Sequence, residues 1–287
     1  MNAPWTVRSM AKWMADDFAG RGLDSPRLDA ELLLAHGLGC DRMGLYLDLD
    51  RPLDTAELDG IRALVKRRRA REPVAYILGE REFVGRSFEV GTAVLIPRPD
   101  TETLVDRALA LLEPETDARL ADVCTGSGCI AITLAAARPG CQVDATDLSE
   151  DALLVAHRNA ARHDTDARVR FLAGDLLAAL PEGERYALIA CNPPYVTQAQ
   201  WAGLDADVRD HEPRLALVGG DDGLEMYRRL APDLPGRLQP GGRVLLEVGM
   251  GQAPAVSALL QAAGLIELQV HEDLGGIERV VEARLAD

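Results

Sequence analysis

Ala121-Asp122-Val123-Cys124-Thr125-Gly126-Ser127-Gly128-Cys129-Ile130-Ala131 reads as the end of a strand begun at Arg119, a tight glycine loop, and the start of an apolar helical run over 130–137. Glycines at a strand-to-helix turn let a ligand approach bare backbone beside the unpaired amides of a helix start. Outward from this loop the alternation continues, with strand-like runs at 119–123, 142–146, 168–172, 186–190, 243–248, 265–270 and 279–284. Seven strands separated mostly by helical stretches predict an α/β fold with a largely parallel sheet and right-handed crossovers. Residues 273–278 are too few for a parallel crossover, so the last two strands are predicted antiparallel.

Upstream, 27–36 reads as a helix with Leu28, Leu32 and Ala35 on one face, opened by Ser25 and Pro26 and ended by Gly37 and Gly39. Residues 55–71 form a second amphipathic stretch through Leu58, Ile61, Leu64 and Val65. Turn-forming residues between 76–79 and 88–90 predict a β-hairpin, followed by the stiff Ile96-Pro-Arg-Pro99. The expected division is therefore a helical domain over 1–72, a hairpin hinge over 73–99 and an α/β domain over 100–287.

Just after the fourth core strand stands Asn192-Pro193-Pro194-Tyr195. Two prolines fix φ and remove two amide donors, so the chain leaves the strand extended and cannot turn straight into a helix. The Asn192 side-chain oxygen and a neighbouring backbone carbonyl can then accept both hydrogens of a planar NH2 group, with Tyr195 as a flat wall. Such a corner suits an amide or an exocyclic base amine. Asn-Pro also opens ordinary turns, but a turn alone would leave the upstream glycine loop unexplained.

The glycine loop by itself is ambiguous. Gly126, Gly128 and Ala131 satisfy a dinucleotide fingerprint, with Asp147 at a distance that suits a ribose-binding acid, so a nicotinamide-linked oxidoreductase stays open. Asp122 tilts the balance, because a carboxylate there would repel a pyrophosphate and attract the methionine ammonium of S-adenosylmethionine. Asp175, after the third strand, could accept from an adenine amino group. Asp147 and Asp175 could equally serve as helix N-caps.

Composition narrows the classes. The chain has 287 residues and a formal charge of −15, divided as −1 over 1–90 (14 basic, 15 acidic) and −14 over 91–287 (17 basic, 31 acidic). An acidic α/β part argues against a nonspecific nucleic-acid binder and favours a protein partner. Lys66-Arg67-Arg68-Arg69 with Arg71 is the one basic cluster, expected as a solvated helix end rather than an RNA contact. Cys40, Cys124, Cys129, Cys141 and Cys191 are odd in number and form no CxxC pair, and the five histidines show no HExxH pattern, so free thiols and no metal are expected. No stretch is apolar enough for a membrane span or signal peptide, and a soluble cytoplasmic enzyme is expected.

At this point the residues resemble the protein glutamine N5-methyltransferases, and among them the type that acts on peptide-chain release factors (the HemK or PrmC type). The resemblance covers almost the whole chain and rests on Glu72-Pro-Val-Ala-Tyr-Ile-Leu-Gly79, Leu95-Ile-Pro-Arg-Pro-Asp-Thr-Glu102, the glycine loop, Asn192-Pro-Pro-Tyr195, Glu212-Pro-Arg-Leu-Ala-Leu217, Gly219-Gly-Asp-Asp-Gly-Leu224 and Leu246-Glu-Val-Gly249. Asn-Pro-Pro-Tyr is shared with adenine and guanine amino-methyltransferases; the 96–102 string is more selective, and separates the chain from the related enzyme that modifies a large-subunit ribosomal protein. The family pattern has glycine where Cys124 stands and often an aromatic where Leu176 stands.

The resemblance implies a seven-stranded Rossmann-like class I methyltransferase core, an N-terminal helical domain, S-adenosyl-L-methionine as methyl donor, and release factors 1 and 2 as protein partners, bound at their Gly-Gly-Gln loop, with no nucleic acid and no membrane. Cofactor contacts would come from Asp122, Cys124, Thr125, Gly126, Ser127, Gly128, Asp147, Asp175, Leu176 and Asn192. The glutamine amide would be held by Asn192, Pro193, Pro194 and Tyr195, with Asn192, Pro193 and Tyr195 carrying catalysis. Arg98, Asp100 and Glu102 would shape the site entrance or form an interdomain salt-bridge network, and Glu212 would support the Asn-Pro-Pro-Tyr loop.

Overall fold

The computed structural model describes residues 4–287, which fall into two units: one runs to Gly79 and takes in Ala206–His211, the other comprises Glu80–Asp205 and Glu212–Asp287. In the first unit, α1 (Val7–Gly20) is opened by a reciprocal cap in which Thr6 and Ser9 side chains accept from each other's backbone amides. Its Val7, Met10, Met14 and Phe18 recur at helical spacing and join Ala30, Leu33 and Leu34 of α2 (Pro26–Gly37) in one core. The phase of α2 departs from expectation, since Leu28 is 42% exposed. The run Leu32-Leu33-Leu34 permits either stripe, and packing against α1 selects the one through Leu33 and Leu34. Ser25 sits at the N-cap but makes no side-chain bond there.

Helices α3 (Arg42–Leu47), α4 (Thr55–Arg69) and α5 (Val74–Leu78), with the short helix Ala206–Arg209, complete this unit. In the basic run at the end of α4, Lys66, Arg67 and Arg69 are exposed as expected of a solvated helix end, and Arg68 is the exception. Arg67 pairs with Glu72 at 2.5 Å and Arg69 with Asp17 at 2.7 Å. Arg68 is buried, only 5% exposed, and lies 2.8 Å from Asp29 and 2.6 Å from Asp207. Burial raises the pKa of Asp29, an effect that Arg68 opposes.

The second unit opens with a hairpin, β1 (Glu80–Phe83) and β2 (Arg86–Glu89), turned by Val84 and Gly85 in left-handed backbone. The first strand was expected at 76–79, but those residues close α5: Pro73 starts that helix and Gly79, at φ +79°, ends it. The hairpin thus lies wholly in the second unit, and the division falls at Gly79 instead of across a 73–99 hinge.

After α6 (Pro99–Leu111), the sheet strands are β3 (Arg119–Val123), β4 (Gln142–Asp147), β5 (Val169–Ala173), β6 (Tyr186–Cys191), β7 (Leu238–Glu247), β8 (Ile266–Glu272) and β9 (Glu278–Arg284). Their order is β5-β4-β3-β6-β7-β9-β8. The first five run parallel, and β9 is antiparallel to both β7 and β8, matching the expected α/β class. Leu120, Leu188, Ala190 and Leu245 pack on one face with α7 (Cys129–Ala137), while Ala121, Val123, Ile189 and Leu246 pack on the other. Both faces are covered, which is why the central strand β6 reads as a continuous apolar run. Strand order reverses at β3, with β4 on one side and β6 on the other, and such a reversal opens a crevice at the carboxyl ends of the strands.

Candidate active site

Val123 and Cys191 are register partners, so the glycine loop and Asn192-Pro-Pro-Tyr195 leave neighbouring strand ends. Sequence distance between the two motifs therefore disappears in space. The loop is held in shape by side chains and strand backbone. Thr125 N donates to Thr146 O at 2.9 Å, Gly126 N to Asp147 Oδ2 at 2.8 Å, and Asp147 Oδ1 accepts from Ser149 N at 2.9 Å. From α8 (Glu150–Arg162), the Asn159 amide donates to Ser127 O at 2.9 Å and to Glu89 O at 3.0 Å.

Asp122 does not line the crevice. It is wholly buried beneath the loop, where Oδ2 accepts from Thr125 Oγ1 at 2.6 Å and from Ala131 N at 3.1 Å. Burial pushes its carboxyl up to about 7, helped by the charge of Asp147 and opposed by those two hydrogen bonds. Its position corrects the expected ammonium contact: Asp122 ties the loop to the helix start. Gly128, expected in the same set, is also absent from the lining. A Cβ there would stand 2.8 Å from Ile132 Cδ1 and 3.2 Å from Ala156 Cβ, so this glycine serves close packing around α7 and α8.

The crevice is lined by Cys124 to Ser127, Asp147, Asp175, Leu176, Asn192 and Pro194, with Arg98 and Arg229 at its edge. Both arginines are paired, Arg98 with Glu212 at 2.5 Å and Arg229 with Asp175. The donor set is thus a bare glycine backbone, an unpartnered buried Ser127 hydroxyl and acids, with no cation left over for a polyphosphate. That chemistry fits S-adenosylmethionine and disfavours a dinucleotide. Asp147 faces the loop amide and the lining at once, and its burial raises its pKa against the pull of the Ser149 and Gly126 amides.

Asn192 Nδ2 donates to Thr101 Oγ1 on α6 at 3.2 Å, which leaves Oδ1 available to a ligand. Pro193 and Tyr195 do not line the crevice. The Tyr195 hydroxyl donates to Glu247 Oε1 at 3.3 Å, and its ring lies beside Gly249. Burial raises its pKa, with the adjacent Glu247 charge adding to the effect. Tyr195 is therefore a buttress of the corner, and not the flat wall of the crevice that was expected.

Several supports were invisible in the sequence. Gln252 Nε2 donates to Tyr195 O at 3.0 Å while its Oε1 accepts from Gly249 N at 2.9 Å. A Cβ on Gly219 would stand 2.2 Å from Pro194 O, so no side chain fits behind the prolines. The Gly219-Gly220 pair was the one legible signal of that close approach. Glu212 does not support the Asn-Pro-Pro-Tyr loop as expected: it is buried and binds Ile96 N at 3.0 Å besides Arg98. Asp100 pairs with Arg279 at 3.1 Å, and Glu102 accepts from Val84 N at 3.1 Å, so these contacts lie within the second unit and form no interdomain network.

Cys124 sits at φ +63°, and Leu176 at φ +49°, both in backbone that favours glycine. Left-handed backbone costs a non-glycine residue about 1–2 kcal/mol. Cys124→Gly is expected to stabilise the fold by about 0.5–1 kcal/mol, the greater freedom of glycine in the unfolded chain offsetting part of the relief. Thermal unfolding measures this; a lower midpoint in the variant would contradict strain at this loop.

Residues 9–79 match the PrmC N-terminal domain model, and residues 99–206 match the methyltransferase small domain. Curated relatives named release factor glutamine methyltransferase include that of Geobacter sulfurreducens, 44% identical with 98% of this chain and 97% of that one covered. That of Bordetella pertussis is 46% identical, covering 93% and 97%. Among solved structures, a methyltransferase from Pyrococcus furiosus superposes with a TM-score of 0.54 at 16% identity, covering 79% of this chain and 98% of that one, a likeness of fold alone.

Proposed function

The chain belongs to the release factor glutamine methyltransferase family, and we propose that its carboxamide pocket is formed by Asn192 Oδ1, which lines the crevice, and by the Pro193 carbonyl, which is not itself in the lining but stands between the lining residues Asn192 and Pro194. It transfers a methyl group from S-adenosyl-L-methionine to the side-chain amide nitrogen, N5, of a glutamine in a peptide-chain release factor. The glutamine is assigned to the Gly-Gly-Gln motif of release factors 1 and 2, the methylation serving translation termination, with the first unit as the substrate-recognition domain. The enzyme is placed in the cytoplasm with that substrate; among the described residues no helix is long and apolar enough to cross a membrane.

The observation that carries the pocket is the fixed amide of Asn192, whose Nδ2 is taken by Thr101. An amide nitrogen is a poor nucleophile because its lone pair is delocalised into the carbonyl. Asn192 Oδ1 and Pro193 O, accepting both N–H hydrogens, bias electron density back onto nitrogen and aim it along one line. Bound S-adenosylmethionine supplies an electrophilic methyl carbon on a cationic sulfur. Cys124 to Ser127, Asp147, Asp175 and Leu176 are proposed to hold it, Asp147 through the ribose hydroxyls. No strong base is required, because the alkylated amide is acidic enough to lose its extra proton to water or to an accepting carbonyl. Orientation is the main contribution of the protein, and well-aligned groups supply up to about 10⁵–10⁸ M of effective concentration.

A nucleic-acid amino-methyltransferase would need a basic groove, and the −14 balance over 91–287 gives none. The test incubates the chain with methyl-labelled S-adenosylmethionine and purified release factor and locates the label by peptide mass spectrometry. Label on the glutamine of the Gly-Gly-Gln peptide is expected; label on RNA or on a ribosomal protein alone would overturn the reading.

A further inference from the structure

Two proline-bound segments of the second unit line the crevice without taking part in the amide pocket: Leu95, Pro97 and Arg98 from one, Pro213 and Leu215 from the other. One buried carboxylate ties them together. Glu212, its side chain 1% exposed, accepts from Ile96 N at 3.0 Å through Oε2 and from Arg98 Nη2 at 2.5 Å through Oε1. Arg98 stands between Pro97 and Pro99 in extended backbone, at φ −99° and ψ 144°, the region to which a following proline confines it. Main chain and one arm of the guanidinium are therefore both fixed. The side chain is still 32% exposed, and among the described residues its Nε and Nη1 meet no acceptor.

We propose that Arg98 recognises the main chain of the substrate loop, donating to the carbonyl oxygens of the two glycines ahead of the glutamine, and that Glu212 is the residue that positions it. The inference rests on the reading of the substrate as a Gly-Gly-Gln loop whose glutamine enters at Asn192. Two glycines carry no side chain to read, so their recognition falls on N–H and C=O groups. Glu212 already balances the guanidinium charge, which makes the pair a poor anion site. A neutral carbonyl still gains from a charged donor, whose hydrogen bonds are the stronger kind.

The position suits this role. Arg98 O accepts from Thr101 N at 3.2 Å, and Thr101 Oγ1 accepts from Asn192 Nδ2 at 3.2 Å. Arg98 thus lies one turn of α6, about 5.4 Å along the helix, from the residue that holds the amide pocket. A glutamine whose side chain reaches Asn192 brings its main chain past Arg98. The planar fork can keep one arm on Glu212 while the others meet the substrate, a division that the single nitrogen of lysine cannot reproduce. Because Glu212 fixes the side chain beforehand, little rotamer freedom is lost on binding.

The experiment measures kcat and both KM values with full-length release factor for the unaltered chain, Arg98→Lys, Arg98→Gln, Glu212→Gln and the double variant Arg98→Lys/Glu212→Gln. Arg98→Lys keeps a cation beside buried Glu212 and loses the second arm. It is expected to raise the release-factor KM about 10- to 100-fold, the size of one charged hydrogen bond, with kcat within about threefold and the cofactor KM within about twofold. Glu212→Gln is expected to raise the same KM about 3- to 10-fold, and the double variant to exceed Arg98→Lys by no more than about twofold, since Glu212 acts through Arg98. A release factor with its loop glutamine replaced by alanine keeps the glycine main chain and lacks the carboxamide. Used as a competitive inhibitor, it is expected to lose affinity for Arg98→Lys by the same factor as the substrate. An unchanged release-factor KM in Arg98→Lys and Arg98→Gln, or a rise in the cofactor KM in its place, would overturn the proposal. So would an inhibition constant that Arg98→Lys leaves unmoved, which would put Arg98 on the glutamine side chain, or fully multiplied losses in the double variant, which would deny Glu212 its role. If Arg98→Gln fails to fold with Glu212 left unpaired, Arg98→Lys decides. No methylation of release factor by the unaltered chain would instead refute the reading of the substrate.

Discussion

Asn192→Ala is expected to lower kcat/KM for the release factor on the order of 10³-fold while S-adenosylmethionine affinity changes little. Removing one preorganised polar group at a reacting centre costs about 10²–10³ in kcat. Here the lost group is the acceptor that turns a resonance-bound nitrogen toward the methyl donor, so the effect falls at the upper end. The side chain reaches its place by a short route: β6 ends at Cys191, two prolines keep the chain extended, and Thr101 takes Nδ2. Alanine removes the carboxamide and leaves the strand and prolines intact, so the variant stays folded and the loss lies in turnover. Single-turnover kinetics separate this from weakened binding, and an unchanged chemical step would contradict the assignment.

Asp147→Ala is expected to weaken cofactor binding about 100-fold, read by calorimetry with S-adenosylmethionine. Its two oxygens accept from Gly126 N at 2.8 Å and Ser149 N at 2.9 Å, and the residue also lines the crevice. Hydrogen bonds to a charged group contribute about 1.5–3 kcal/mol each, so losing a ligand contact together with the anchor of the loop brings about two decades. Because Asp122 still ties Thr125 and Ala131 from beneath, the loop keeps its lower anchor and the chain keeps its fold. Wild-type affinity in the variant would place the cofactor elsewhere.

The sheet was legible because parallel strands covered on both faces appear as apolar runs, and strand 186–191 is such a run. The first hairpin strand was misplaced because Tyr76-Ile-Leu is short and apolar, a pattern that fits strand and helix alike until Pro73 and Gly79 are weighed as start and stop signals. In the site, the motifs told which backbone segments meet, but not where their side chains turn. Asp122 lies one residue before the strand ends and turns under the loop; Tyr195 follows two prolines and turns onto Glu247. The supports Thr101, Gly219, Glu247 and Gln252 come from four separate segments, and their convergence is a property of the folded chain that no local pattern encodes.

The most direct measurement is a crystal structure of the enzyme with S-adenosylhomocysteine and its release factor. The glutamine carboxamide nitrogen is expected about 2.7–3.2 Å from both Asn192 Oδ1 and the Pro193 carbonyl, on the side facing the sulfur. A glutamine side chain bound elsewhere, with Asn192 Oδ1 satisfied by a neighbouring protein group, would contradict the account.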